Sequence, residues 1–206
     1  SGDKTGKSRT IEILLADIID IFNRADYEVI THITASAGDC ENMVMHYAPQ
    51  LDLVVCCGGD GTFNETIAGV LRSEVEVPVG YIPAGSTNDF AVSLGIPADP
   101  VRAAKIAVDG SVFSCDCGDF NGTPFAYVAA FGAFTKVSYA TPQQPKNSLG
   151  HMAYVLEGIK SLPQIKGIPA TVQTEDETFE GSFLYGMVSN SHSVGGLNGF
   201  YGKSTV

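Results

Sequence analysis

The sequence predicts an α/β fold, in which a domain built on a parallel sheet is followed by a smaller, mostly antiparallel β-rich domain. Two observations lead to that prediction. The first half of the chain alternates between helical stripes and short apolar runs, which is the order of elements in a parallel sheet covered by helices. The second half instead has strand-like segments on either side of tight turns, as antiparallel hairpins do. With 206 residues, 44% of them hydrophobic, the chain can bury a core of that size.

The first half opens with a predicted helix, because apolar residues recur along one face at three- and four-residue spacing. These residues are Ile11, Leu14, Leu15, Ile18, Ile19 and Phe22. Residues 27–33 are rich in β-branched side chains and predict a strand. Residues 40–47 predict a second helix, which Pro49 ends.

A strand–helix–strand unit is predicted at the centre of the first half. Residues 51–57 are nearly all apolar, which is typical of a strand buried on both faces of a parallel sheet. A helix is predicted over residues 63–71 and a second buried strand over residues 77–82. Parallel strands joined in this way favour a right-handed crossover.

The pattern changes after about residue 110, where hairpin signals replace the strand–helix alternation. Strands predicted over residues 111–120 and 124–130 flank Asn121-Gly122, a strong signal for a two-residue hairpin turn. A second hairpin is predicted from strands over residues 168–174 and 178–188, which flank an acidic turn.

One helix, over residues 150–162, is predicted between these two hairpins. We therefore predict an α/β domain over residues 1–118 and a β-rich domain over residues 119–206. The second domain has too few predicted strands to close an antiparallel sandwich by itself.

Composition excludes several classes of function. The 23 Asp and Glu residues outnumber the 12 Lys and Arg residues and give a net charge of −11, which disfavours binding to nucleic acid or to anionic headgroups through bulk charge. The odd count of five cysteines, without a regular framework, is typical of a reducing compartment. No run approaches the roughly 20 apolar residues of a membrane span. These features predict a cytoplasmic protein.

Residues 58–62, Gly-Gly-Asp-Gly-Thr, connect the central buried strand to the helix that follows. Ligands of open α/β sheets bind beyond the carboxyl ends of the strands, where this turn must lie. The glycines leave backbone N–H groups accessible and the helix N-terminus adds partial positive charge, so the turn is typical of a phosphate-binding loop. Asp60 would repel phosphate, which favours a role in holding Mg²⁺ through water or in orienting the loop. The competing interpretation is a helix cap, with Thr62 as N-cap and Glu65 completing a capping box.

A second turn of this kind, Ala-Gly-Ser-Thr-Asn-Asp, follows the next predicted strand. Gly85 gives access to the backbone, Ser86 and Thr87 provide hydroxyl groups, and Asn88 and Asp89 add polar groups at the same edge of the sheet. Helix capping by Ser86, Thr87 or Asn88 is the alternative interpretation. Because the carboxyl ends of parallel strands meet at one edge, the two turns would converge on one crevice, which favours phosphate binding by both.

Taken together, the two motifs resemble the diacylglycerol kinase catalytic-domain family. They read Gly-Gly-Asp-Gly-Thr-Phe-Asn-Glu over residues 58–65 and Pro-Ala-Gly-Ser-Thr-Asn-Asp-Phe-Ala over residues 83–91. That family includes soluble bacterial lipid kinases and the sphingosine kinases, and it belongs with the NAD kinases to one NAD kinase-like superfamily. NAD kinases share the first motif, whereas the second is more similar to that of the lipid kinases. The resemblance implies an ATP-binding α/β domain and a β-rich domain, with the lipid entering the cleft between them.

The resemblance also implies which residues contact ATP and Mg²⁺. Asp60, Asp89 and Asp116 match the aspartates of an Asp–water–Mg²⁺ network, and Thr34 matches a further nucleotide-contacting threonine. The family's catalytic base lies further along than Val206, so no catalytic residue is expected in this chain, which we expect to be incomplete at both ends. The residues expected to contact the nucleotide are Thr34, Gly58, Gly59, Asp60, Gly61, Thr62, Asn64, Glu65, Gly85, Ser86, Thr87, Asn88 and Asp89.

The implied activity is ATP-dependent transfer of the γ-phosphoryl group to the hydroxyl of a diacylglycerol-like lipid. An NAD kinase, a non-catalytic nucleotide-binding module and a purely structural α/β domain remain alternatives. The sequence does not choose among diacylglycerol, a sphingoid base and phosphatidylglycerol as acceptor. Without a basic face, membrane contact is expected to be transient, peripheral and made by an apolar lip. No oligomeric state is fixed, and a homodimer is compatible with the sequence.

Overall fold

The structure is a computed structural model that describes residues 6–132, 166–190, 193–194 and 197–198, with side chains over 14–132 and 166–190. It confirms the predicted fold class, since a parallel strand pair with helices is followed by antiparallel strands. The helix predicted over residues 150–162 lies outside the described residues. None of the described helices is both long and apolar enough to cross a membrane.

Strands β1 (Val54–Gly58) and β2 (Val79–Pro83) pair in parallel, with helix α3 (Asp60–Ser73) between them in the chain. Their register brings Gly58 opposite Pro83, so both strands end at the same edge. In β1, Val54 and Cys56 are buried whereas Cys57 is exposed, so the predicted burial on both faces holds for only part of that strand. The common end of the two strands places the two glycine-containing turns side by side.

The two helices predicted before β1 are confirmed. Helix α1 spans Gly6–Arg24, and helix α2 spans Asp39–Tyr47 before a short 3₁₀ turn at Ala48–Gln50. The apolar stripe of α1 buries Ile18 and Phe22 against Ile82 of β2 and against residues of a later helix. The prediction of a strand over residues 27–33 is wrong. No described strand pairs with that segment, and Ile30 and Ile33 are exposed.

Two helices follow β2 that the sequence analysis did not predict. Helix α4 (Asp89–Ser93) begins directly after the second turn, and helix α5 spans Pro100–Asp109. Asp99 is the N-cap of α5, and its side chain accepts a hydrogen bond from the backbone N–H of Arg102 at 2.8 Å. An N-cap aspartate followed by proline at N1 is the local signal for this helix. Helix α5 packs against α1 and β2.

The later part of the chain forms antiparallel strands. The predicted turn at Asn121-Gly122 is confirmed, since both residues have positive φ between paired strands. The strand predicted over 111–120 is too long, because residues 111–117 are exposed and lie in neither helix nor strand. The strand predicted over 178–188 is divided at Leu184. The strands are β3 (Gly118–Phe120), β4 (Thr123–Phe125), β5 (Val128–Gly132), β6 (Ile168–Gln173), β7 (Thr178–Phe183), β8 (Tyr185–Ser189), β9 (Ser193–Val194) and β10 (Leu197–Asn198).

The described residues fall into two compact units. One comprises residues 6–128 together with the described residues from 189 onward, and it contains β1, β2, all five helices and the β3–β4 hairpin. The other comprises residues 129–132 and 166–188, where β5 pairs with β8 and β6 pairs with β7. The predicted domain division between residues 118 and 119 remains a prediction.

Candidate functional site

The candidate site lies where β1 and β2 end, in the first of these units. Two connections leave the sheet there, and we call residues 58–62 the first loop and residues 84–88 the second loop. The backbone N–H of Ala84 donates to the carbonyl of Gly58 at 2.8 Å, which continues the strand pairing into the start of the second loop. The sequence prediction that the two turns share one edge of the sheet is therefore confirmed.

Two glycines, one in each loop, bring the backbones of the loops close together. A Cβ added to Gly85 would lie 2.5 Å from the Cα of Gly59, and one added to Gly59 would lie 3.1 Å from the Cα of Gly85. Such distances leave no room for a side chain at Gly85, so glycine is needed for the backbones to touch. Gly61 differs from both, because a Cβ there would meet nothing within 4 Å. The protein leaves open space in front of that residue, at the N-terminus of α3.

Helix α3 begins at Asp60, with Gly59 as its N-cap. The capping-box interpretation of Thr62 and Glu65 is therefore wrong, because Thr62 is already inside the first turn of the helix. The Glu65 carboxylate instead accepts a hydrogen bond from the backbone N–H of Gly38 at 3.0 Å. That bond ties α3 to the loop before α2.

Asp60 joins the first loop to the start of α4, directly after the second loop, through both oxygens of its carboxylate. One oxygen accepts from the backbone N–H of Asp89 and the other from that of Phe90, each at 3.1 Å. These two groups belong to the first turn of α4 and have no intrahelical partner. Of the residues predicted to cap α4, namely Ser86, Thr87 or Asn88, Asn88 holds the N-cap position but makes no side-chain capping bond, and the Asp60 carboxylate caps the helix instead. Of the two roles considered for Asp60, orienting the loops is the one these bonds show directly.

Asn88 closes the second loop on itself. Its side-chain oxygen accepts from the backbone N–H of Gly85 at 2.8 Å, and its side-chain nitrogen donates to the Gly85 carbonyl at 3.1 Å. The residue is 3% exposed and has a positive φ of 54°, a conformation that asparagine tolerates better than most residues. Because Asn88 turns inward, Ser86 and Thr87 are the residues of this loop that face solvent.

An aromatic cluster of Phe63, Tyr81 and Phe90 packs next to the two loops. The ring of Phe63 in α3 stacks on Tyr81 of β2 at a centroid distance of 4.4 Å and on Phe90 of α4 at 4.9 Å. Tyr81 is 4% exposed, and within the described part of the chain its hydroxyl has no hydrogen-bond partner. Burial raises the pKa of the Tyr81 phenol, and the negative charges of Asp60 and Asp89 raise that pKa further.

The Tyr81 hydroxyl has no hydrogen-bond partner among the described residues. It therefore helps to test whether Asp60 and Asp89 fit Mg²⁺ held through water. Asp89 is 1% exposed, and each Asp60 oxygen that accepts a backbone N–H keeps a second lone pair. A buried hydroxyl close to two carboxylates is a setting that ordered water satisfies. In the described ranges, no three Asp, Glu, His or Cys side chains converge as a direct metal site. Carboxylates with space for ordered water are donors that Mg²⁺ accepts, so these residues fit an ion held through water.

Two further predicted residues, Thr34 and Asp116, lie in exposed segments outside the two loops. Thr34 is exposed in the loop before α2, where the Asp39 carboxylate accepts from the backbone N–H of Ala35 at 2.8 Å. Asp116 is exposed in residues 111–117, and its backbone carbonyl accepts a hydrogen bond from the side chain of Asn190. Sequence reasoning missed Asn190, because a lone asparagine more than 70 residues from its partner has no local signal.

Asn64 is in α3, one turn beyond Asp60. Its side-chain oxygen accepts from the backbone N–H of Ala126 at 2.8 Å, and its nitrogen donates to the carbonyl of Pro124 at 3.4 Å. Both atoms of the amide therefore contact the protein backbone beside β4. Asn64 is one of the residues predicted to contact the nucleotide. The contacts that the structure describes for its side chain are with the protein backbone.

Comparison with known proteins identifies similar chains. The diacylglycerol kinase catalytic domain model matches residues 3–120. A diacylglycerol kinase of Bacillus subtilis is 35% identical over 185 residues, a match that covers 89% of this chain and 61% of the relative. The diacylglycerol kinase of Staphylococcus saprophyticus is 32% identical over 184 residues and is covered to 60%. A crystal structure of a diacylglycerol kinase from Bacillus anthracis superposes with a TM-score of 0.72 at 26% identity, covering 92% of this chain and 62% of that one.

Proposed function

Because this chain belongs to the diacylglycerol kinase catalytic-domain family, we propose that its protein transfers the γ-phosphoryl group of ATP to the hydroxyl of a lipid of the diacylglycerol type. The chain spans about 61% of the length of its Bacillus subtilis relative, so the activity proposed is that of the whole protein. The observation that best supports the proposal is the pair of loops joined by Asp60. That link aligns two phosphate-binding segments on one edge of the sheet.

Each loop has a distinct part in binding the phosphates. Gly61 lies in the first turn of α3, where unpaired backbone N–H groups and the helix dipole favour negative charge, and the space in front of it is open. Ser86 and Thr87 are exposed in the second loop, and their hydroxyl groups would donate to phosphate oxygens. Both loops would therefore contact phosphate oxygens of the same ATP molecule. Thr34 and the Glu65-supported loop around Gly38 would contact the nucleotide from the other side of α3.

The aspartates would bind the metal ion that accompanies the phosphates. Asp60, Asp89 and Asp116 would hold Mg²⁺ through water, with Asp60 also keeping the loops together. When bound, Mg²⁺ neutralises the charge that the phosphate oxygens carry in the transition state. Held through water in this way, the ion would keep several of its own waters, as Mg²⁺ usually does in proteins.

Phosphoryl transfer itself needs alignment more than covalent chemistry by the protein. The lipid hydroxyl oxygen forms a new bond to the γ-phosphorus, and the bond from that phosphorus to the bridging oxygen of ADP breaks, with its electron pair going to ADP. Among the described residues we assign none to accept the hydroxyl proton. The loops contribute by holding the phosphates in line with the acceptor.

The membrane surface supplies the acceptor in this proposal. A net charge of −11 disfavours attraction to anionic lipid, so contact is transient and peripheral and depends on apolar residues. The protein would act from the cytoplasm, in phospholipid metabolism. Nucleic acid has no part in this function, since the chain has no excess of basic residues with which to neutralise phosphates.

The proposal is tested by removing the Asp60 carboxylate from the full-length protein. We expect Asp60→Ala to lower kcat for lipid phosphorylation by at least about 100-fold, the loss typical when one preorganised electrostatic group is removed. Asp52→Ala is the control, because Asp52 is exposed and precedes β1 at the opposite end of the strand. Unchanged phosphorylation by folded Asp60→Ala protein, as judged by circular dichroism, would contradict the assignment.

A further inference from the structure

Asp116 lies in a segment with little structure of its own. Residues 111–117 are exposed and form neither helix nor strand, and regular pairing resumes only at Gly118. An exposed segment of this kind opens easily unless bonds from elsewhere hold it. A carboxylate that must stay in register with two others therefore needs an anchor outside its own segment.

Asn190 provides that anchor. Its side-chain nitrogen donates to the carbonyl of Asp116 and to the carbonyl of Ala126, the second at 3.3 Å. Its backbone N–H donates to the carbonyl of Tyr127 at 2.8 Å, which fixes the asparagine itself. One amide group thus joins the Asp116 segment to the bend at residues 126–127, between β4 and β5.

Asn64 holds the same bend from the opposite side. Its side-chain oxygen accepts from the backbone N–H of Ala126, whose carbonyl is the group that Asn190 binds. Ala126 is 2% exposed, and both of its hydrogen bonds are partly buried. Asn64 lies four residues after Asp60, so the two side chains project from one face of α3.

We propose that Asn64 and Asn190 are positioning residues, which hold the Asp116 segment at a fixed distance from Asp60 through Ala126. The connection runs from α3 through the Asn64 amide to the Ala126 peptide groups, and from there through the Asn190 amide to the Asp116 backbone. Only the consequence for phosphoryl transfer rests on the proposed function, since the connection itself is a property of the fold. Asn190 acts through Asp116 and does not contact the phosphates.

Kinetics separate this role from a general contribution to stability. Asn190→Ala removes both donors, so we expect the Mg²⁺ concentration for half-maximal rate to rise by about tenfold, the effect of losing one or two hydrogen bonds. The KM for the lipid should stay within about twofold of wild type, because only the Asp116 segment is displaced. Isosteric Asn190→Asp keeps the volume but not the donor, so it should behave like Asn190→Ala.

Because both amides hold Ala126, their effects should not add. We expect Asn64→Ala to raise the Mg²⁺ requirement as Asn190→Ala does, and the double variant to exceed the larger single effect by less than about twofold. Ser189→Ala is the matched control, since Ser189 is the neighbouring residue and its hydroxyl donates to the carbonyl of Tyr127. Independent, multiplying effects of the two asparagines would overturn the proposed connection.

A second readout does not depend on catalysis. Amide hydrogen exchange of the full-length protein should become roughly tenfold faster over residues 111–118 in Asn190→Ala, and should not change there in Ser189→Ala. The β6–β7 hairpin, residues 168–183, is the internal reference and should exchange as in wild type. Unchanged exchange over 111–118, or an equal rise over 168–183, would overturn the positioning role.

The two readouts keep this inference distinct from the proposed function. If wild-type protein phosphorylates no lipid but exchange at residues 111–118 responds to Asn190→Ala, the connection stands and the proposed activity fails. If lipid is phosphorylated but neither exchange nor the Mg²⁺ requirement responds, the activity stands and the connection fails.

Discussion

At the scale of single residues, the two loops are held together by contacts that tolerate little change. Gly59 and Gly85 touch through their backbones, and Asp60 uses both carboxylate oxygens to bind the start of α4. The glycines therefore have two different roles. A side chain at Gly85 would collide with the first loop, whereas a Cβ at Gly61 would meet no protein atom within 4 Å.

That difference predicts opposite effects on stability. In Gly85→Ala the new methyl group would lie 2.5 Å from Gly59 and 2.7 Å from the Asn88 side chain. We expect a loss of about 1–3 kcal/mol in the free energy of unfolding, the usual cost of overpacking. Urea denaturation measures that change.

Gly61→Ala is the matched comparison in the same site. Its methyl group meets no protein atom within 4 Å, and the residue has no positive φ to strain. We expect unfolding free energy to be unchanged or raised by up to about 1 kcal/mol, because alanine is less flexible when unfolded. Calorimetry should nevertheless show binding of Mg-ATP weakened by about tenfold or more, since the methyl group fills space that a phosphate needs. Unimpaired ATP binding would contradict the role given to Gly61.

Tyr81 predicts how stability depends on alkaline pH. Its folded-state pKa is raised above the ordinary value of about 10, first by burial and then by the charges of Asp60 and Asp89. The unfolded chain releases this proton at about pH 10 while the folded chain keeps it. Stability is therefore lost as pH rises above that value, by up to about 1.4 kcal/mol per pH unit. Urea unfolding between about pH 9 and 11 should show a shallower loss in Tyr81→Phe than in wild type, and parallel curves would exclude this account.

The sequence predicts which residues share the site, but it does not predict the contacts between residues that are distant along the chain. The two motifs placed Asp60, Gly61, Ser86 and Thr87 at one edge of the sheet, because loops that follow adjacent parallel strands must meet there. The bonds from Asp60 to α4 depend on how closely the loops approach, which the order of residues does not specify. Thr62 was misread as a cap for the related reason that the exact start of a helix depends on tertiary contacts.

At the scale of elements, strands and helices with strong local patterns were predictable and isolated segments were not. Helices α1 and α3 and strands β1 and β2 carry clear apolar periods. Residues 27–33 have strand-forming side chains but no strand to pair with among those described, and propensity alone does not make a strand. Helix α5 was overlooked although Asp99-Pro100 signals its start.

The capping of α5 can be tested directly. Asp99→Ala removes the side-chain oxygen that accepts from the Arg102 N–H, so we expect unfolding free energy to fall by about 0.5–2 kcal/mol. Asp109→Ala at the other end of the same helix is the control. It removes an exposed negative charge from a helix C-terminus, where that charge is unfavourable, so stability should be unchanged or slightly higher. Equal destabilisation by both variants would contradict the cap.

At the scale of the whole molecule, an acidic chain repels anions, yet the proposed substrate ATP is itself an anion. In the proposed function, a chain of net charge −11 would bind ATP through backbone N–H groups of the loops, a helix N-terminus and Mg²⁺ held through water, in place of basic side chains. The same charge predicts that membrane contact does not strengthen as ionic strength is lowered. Co-sedimentation with anionic vesicles at about 50 and 200 mM salt checks this, and binding that rises at the lower salt would point to a basic surface instead.

The central claim is that this fold phosphorylates a lipid hydroxyl. The most direct measurement is to incubate the purified full-length protein with γ-labelled ATP, Mg²⁺ and a panel of acceptors: vesicles with diacylglycerol, a sphingoid base or phosphatidylglycerol, and free NAD. The account predicts label in the lipid fraction, above all from diacylglycerol vesicles, that disappears without Mg²⁺ and in Asp60→Ala. Label transferred to NAD with none in lipid, or Mg-ATP binding without transfer to any acceptor, would contradict it.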